Sequence, residues 1–86
     1  MITVFFKPTF LKQMNKLEEE LVNEAIEKMG LFKNEKNHQL LKVHKLHGKF
    51  SGRYSFSVNY RFRIAFRYQA KDQAVFLDIG DHDIYK

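Results

Sequence analysis

Arg53-Tyr54-Ser55-Phe56-Ser57-Val58-Asn59-Tyr60-Arg61-Phe62-Arg63-Ile64-Ala65-Phe66-Arg67-Tyr68 is the stretch that decides the fold. Every even position in it is apolar, and every odd position but Ala65 is polar. A repeat of two means β-structure with one face buried and the other in water. The run is longer than one ordinary strand of about five or six residues, so it folds back on itself near Asn59. Residues that pair across a hairpin share a face, and only an odd loop keeps both apolar sets on one side. A loop of residues 59–61 therefore predicts Val58 opposite Phe62, Phe56 opposite Ile64, Ser57 opposite Arg63 and Ser55 opposite Ala65. It also predicts Arg53 opposite Arg67, a like-charge pair that a bound anion would relieve.

Working outward, Val75, Leu77 and Ile79 continue as a further strand after a loop at Lys71 and Asp72. Its polar parity carries Phe76, Asp78, Gly80 and, just beyond, His82. Antiparallel pairing would bring His82 beside Arg61 and Arg63, and Asp78 near Arg63 or Arg67. Toward the N-terminus, Ile2, Val4 and Phe6 alternate with Thr3 and Phe5 as a short strand. Pro8 suits the first turn of a helix. Phe10, Met14 and Leu17, then Leu21, Val22, Ala25, Ile26 and Met29, recur at helical spacing and are aliphatic core stripes. They form a helical hairpin broken near residues 17–20, or one longer helix, with Gly30 as the C-terminal stop. Residues 34–39 read as polar loop, and 40–46 as extended chain or a short strand. The expected fold is α+β: an N-terminal strand and helical hairpin packed on a twisted antiparallel sheet. At 86 residues there is one domain, 1–86, because two cores would each be too small to offset the entropy of ordering the chain.

Charge is distributed unevenly. Residues 1–35 carry five lysines and six acidic residues, and residues 72–86 carry four aspartates and one lysine. Residues 36–71 carry nine Lys or Arg and no Asp or Glu. Such a block is the footprint of a polyanion binder; the alternative is a solvated face that keeps a small domain soluble. There is no cysteine, which excludes disulfides and thiolate chemistry. The N-terminus shows no signal peptide, and no apolar run is long enough to span a bilayer. The expected location is the cytoplasm.

Leu46-His47-Gly48-Lys49 with Gly52 and Tyr54, then Arg61-Phe62-Arg63-Ile64-Ala65-Phe66, then Leu77-Asp78-Ile79-Gly80-Asp81-His82-Asp83-Ile84-Tyr85, taken in that order and spacing, resemble the RelE/ParE toxin superfamily. The sequence is similar to its RelE and YoeB/YafQ-like branches more than to ParE, whose members act on DNA gyrase. The resemblance implies a ribosome-associated mRNA endonuclease held inactive by a cognate antitoxin protein, with no membrane and no small-molecule cofactor involved. Arg63 matches the arginine that such nucleases place against the scissile phosphate, His82 the terminal basic or histidine position, and Tyr85 the closing aromatic. Ser55 and Ser57 depart from the pattern, standing where the RelE branch has two lysines.

Cleavage by the RNA 2′-hydroxyl needs a base for its proton, a cation on the phosphorane and an acid for the 5′-oxygen. Histidine suits either proton role, which makes His82 the first candidate, with Asp81 and Asp83 flanking it. His47 is divided between a structural hydrogen bond and the active site. Arginine suits the phosphorane, because its fork stays charged and donates two parallel hydrogen bonds. Arg63 and Arg53 are the candidates, and Tyr85 could stack on a base or donate a proton. Lys45, Lys49, Arg53, Ser55, Ser57, Arg61, Arg63 and Arg67 make up the expected RNA-binding face. His38 and His44 read as surface histidines, and Tyr54, Tyr60 and Tyr68 as core or rim. No metal is required, and His44 and His47 lack a third ligand at convincing spacing. Two further readings stay open: a gyrase-binding toxin without nuclease activity, and a catalytically degenerate RNA- or antitoxin-binding module.

Overall fold

The hairpin forms with the register that its alternation dictates. In the computed structural model, which describes residues 1–82, β3 (Tyr54–Ser57) and β4 (Phe62–Ala70) pair antiparallel, Phe56 opposite Ile64 and Ser57 opposite Arg63. The turn closes through the Val58 N–H donating to the Phe62 carbonyl at 2.9 Å. The Asn59 side-chain oxygen accepts from the N–H groups of Arg61 and Phe62, both at 2.8 Å. An asparagine that bonds its own backbone a few residues on is the usual device for such a turn.

Five strands make one sheet in the order β1-β5-β4-β3-β2, with β1 at Thr3–Phe6, β2 at His44–Lys45 and β5 at Gln73–Asp81. Two helices, α1 (Pro8–Met14) and α2 (Glu19–Phe32), confirm the helical hairpin. Several expectations need correction. The sheet is mixed rather than antiparallel, since β1 runs parallel to β5; the helical hairpin carries the chain across before it returns. Gly30 does not stop α2, which continues to Phe32. The gain from burying Phe32 completely outweighs the roughly 1 kcal/mol that glycine costs inside a helix. Tyr60, expected at the core or its rim, is 96% exposed at the hairpin tip.

Phe10, Phe32, Phe56, Phe66 and Phe76 fill the core between the helices and the sheet. Phe32 is their hub, with ring centroids 4.9 Å from Phe56, 4.8 Å from Phe66 and 5.3 Å from Phe76. Phe76 was expected on the polar parity of β5, and here the sequence pattern misleads. Ala65 pairs with Asp78 but Phe66 pairs with Phe76, which leaves Leu77 unpaired as a β-bulge. Before the bulge Ala74 and Phe76 face the helices; after it Ile79 does. Val75 and Leu77 are buried but stand outside that core cluster. One extra residue thus reverses the parity and leaves the end of β5 facing the other way.

A candidate phosphate site on the open sheet face

The reversal at Leu77 decides where His82 arrives. Gly80 pairs with Arg63, and the His82 N–H donates to the Arg61 carbonyl at 2.6 Å. His82 therefore meets Arg63, whose Nε donates to the imidazole Nδ1 at 2.8 Å. A second guanidinium nitrogen, Nη1, reaches the Ser55 hydroxyl at 3.5 Å, the limit of a hydrogen bond. Two of the sequence candidates are thus joined directly.

The electrostatics of Arg63 are unusual for an arginine in a small sheet. It is half-buried, and desolvation lowers its pKa from the ordinary value, although a guanidinium stays charged at any relevant pH. Among the described residues no carboxylate lies within ion-pair distance of it. Asp78, expected near Arg63 or Arg67, accepts from Gln13 Nε2 at 3.4 Å instead. Gln13 also takes the N–H of Ile79 at 2.9 Å, capping β5 where β1 has ended. Asp81 is held by Arg61 at 3.3 Å. A desolvated cation beside a histidine, with two small neighbours at Ser57 and Gly80, is the chemistry of a phosphate-binding centre.

The remaining candidates fall elsewhere. Arg53 precedes β3 and is exposed, so the expected Arg53–Arg67 pair lies outside the ladder. Lys45, Leu46, His47, Ser51, Gly52, Arg53 and Tyr54 line a separate groove of about 350 Å³. It lies four residues along β3 from Ser57, about 13 Å at the usual strand rise. His47 is exposed and stands just before a short 3₁₀ turn, Gly48–Phe50, without a side-chain hydrogen bond to it. Positive φ at Gly48 and Gly52, a backbone region that favours glycine, shapes this loop. Lys49 lies with its ammonium 5.3 Å from the Phe50 ring centroid. Ser55 is fully buried and Ser57 half-buried, both on the Arg63 side of the sheet. Arg67 shares that side, opposite Val75. Tyr85 and Asp83 lie outside the described residues.

His38 is more than a surface group. It stacks on Phe32 at 4.6 Å and shares a hydrogen bond of 2.7 Å between its Nε2 and the Phe32 carbonyl. A larger depression of about 560 Å³ between His38, Glu35, Tyr68 and Lys71 is lined by a carboxylate and lies away from Arg63, so it is not the polyanion site. Among the described residues no three metal-ligating side chains come together, and no helix is long and apolar enough to cross a membrane.

No family model matches the sequence, and no curated protein matches it. Solved structures do. One chain of the toxin–antitoxin complex RelBE2 from Mycobacterium tuberculosis superposes with a TM-score of 0.72 at 18% identity, covering 94% of this chain and 98% of that one. The DinJ–YafQ toxin–antitoxin complex of E. coli gives 0.74 at 16% identity, covering 96% and 94%. A conserved hypothetical protein of Helicobacter pylori gives 0.72 at 22% identity, covering 96% and 97%. Over nearly all of its length, the chain has the α+β fold of the RelE, YoeB and YafQ toxins.

Proposed function

We propose that this protein is the toxin of a toxin–antitoxin pair, a cytoplasmic mRNA endoribonuclease that works on the ribosome and is silenced by a cognate antitoxin. The observation that carries the reading is the contact between Arg63 and His82 on an otherwise cationic sheet face. Solved structures of the same fold that are themselves toxin–antitoxin complexes support the antitoxin partner. In the reaction the RNA 2′-oxygen attacks phosphorus while the bond from phosphorus to the 5′-oxygen breaks. Arg63 binds the phosphate oxygens that gain charge, and His82 donates the proton that the leaving 5′-oxygen needs. A water accepts the 2′-hydroxyl proton. Arg53, Arg67 and Lys45 guide the flanking strand.

The test is expression in growing cells. Growth arrest with a fall in amino-acid incorporation, and mRNA 5′-ends appearing inside translated frames, is the expected result. Arrest without new mRNA ends, relieved by excess gyrase, would contradict it.

A second reading has its own observation. Ser55 is fully buried and neither Ser55 nor Ser57 can replace a lysine as proton carrier or cation. A binding module without cleavage fits that feature, and it predicts ribosome binding with intact mRNA.

A further inference from the structure

A guanidinium Nε carries a hydrogen and no lone pair, so it can only donate. The His82 Nδ1 that receives it at 2.8 Å must present its lone pair. An imidazolium would set two N–H donors and two positive charges face to face at that distance. While the contact lasts, His82 is neutral and its single proton sits on Nε2. That form is a poor proton donor. The resting geometry therefore holds the candidate acid in its inactive state.

Among the described residues, the charged groups beside His82 are Arg63 on β4 and the Arg61–Asp81 pair at the end of the sheet. Asp81 is already engaged by Arg61 at 3.3 Å, and the His82 backbone is fixed on the Arg61 carbonyl. Besides its bond to His82, the Arg63 guanidinium makes only the 3.5 Å approach to Ser55 among the described residues.

We propose that Arg63 couples phosphate binding to the protonation of His82. A phosphate diester offers the fork two oxygens that share a full negative charge, so two parallel bonds to an anion replace one bond to a neutral nitrogen. It displaces the single nitrogen acceptor. Nδ1 is then free, and the imidazole faces an anion in place of a cation. It takes one proton from solvent, and the resulting imidazolium can give one to the leaving 5′-oxygen. Arg63 is thus a positioning residue for the proton as well as a ligand for the phosphate. The inference rests on the reading of Arg63 as a phosphate ligand, but not on cleavage.

The tautomer is read first, in the free protein, by nitrogen-15 NMR of the histidine rings near neutral pH. The expected result is an unprotonated Nδ1 and a protonated Nε2 for His82, with the preference lost in Arg63→Ala. A proton on Nδ1 in the free parent protein would overturn the proposal at once. Proton uptake is read next, by calorimetry in two buffers of different ionisation heat, with a single-stranded RNA blocked by 2′-O-methyl groups. The parent should take up protons on binding, and His82→Ala should bind without that share. Equal uptake by parent and His82→Ala would overturn the coupling. Failure of the blocked RNA to bind, with the tautomer as expected, would instead remove the phosphate reading and the coupling with it.

Discussion

Arg63 has Ser57 on one side and Gly80 on the other, so little covers its guanidinium except His82. The sequence made this meeting legible, because both residues lie on polar positions of neighbouring strands near their shared end. It could not show the partners of the aspartates. Gln13, sixty-five residues away in the chain, takes Asp78, and Asp81 turns to Arg61. Such competition among side chains leaves no mark on periodicity. Nor did it reveal that His38 would stack on Phe32. Tyr68 gives a pH prediction at this scale. Burial first, then the neighbours Tyr54 and Glu35, raise its pKa above the ordinary value. A raised folded pKa means that its contribution to stability is complete below the unfolded value of about 10 and is lost as pH rises through the folded value. Alkaline denaturation curves should therefore fall less steeply above that point for Tyr68→Phe than for the parent. Parallel curves would show that Tyr68 titrates alike in both states.

At the scale of elements, alternation predicted the hairpin and its turn to the residue, since a register slip would put four aromatic or aliphatic side chains in water. The same rule failed on the first half of β5, where the bulge at Leu77 turns Phe76 inward, while Ile79 and His82 keep the faces the alternation gave them. A bulge adds one residue without any composition signal, so a strict two-residue count misassigns everything on one side of it. Deletion of Leu77 tests this. It joins Phe76 to Asp78, whose partners Phe66 and Ala65 are already adjacent. Ile79 should therefore stay in the core and His82 beside Arg63, with the fall in cleavage well short of the loss of about 10²–10⁴-fold for a positioned donor. A loss of cleavage on the scale of a missing donor would mean that Leu77 is not the extra residue. Phe56 is fully buried and stacked on Phe32 at 4.9 Å. Phe56→Ala should cost about 3–5 kcal/mol in denaturant unfolding, a large part of what a domain of this size has. An unchanged midpoint would contradict the assigned core. The parallel β1 escaped the sequence because pairing direction depends on how the helices carry the chain, not on the strand's own residues.

For the molecule as a whole, nine cations and no carboxylate in residues 36–71 place Arg53, Arg61, Arg63 and Arg67 along β3 and β4. Each phosphate that they neutralise releases counterions, so RNA affinity should fall steeply as salt rises. Replacing Arg53 and Arg67 together should flatten the logarithmic slope by about two, one unit per lost contact. A slope unchanged by that replacement would remove both from the RNA path. The central claim joins this cationic face to chemistry at His82 and Arg63. Its most direct test is single-turnover cleavage of mRNA on programmed ribosomes by the parent, His82→Ala and Arg63→Ala, with ribosome binding measured alongside. Loss of a positioned proton donor predicts a rate about 10²–10⁴-fold lower for His82→Ala, with ribosome binding nearly unchanged and Arg63→Ala impaired as well. Cleavage by His82→Ala within about threefold of the parent, well short of that loss, would contradict the account and pass the proton to another group.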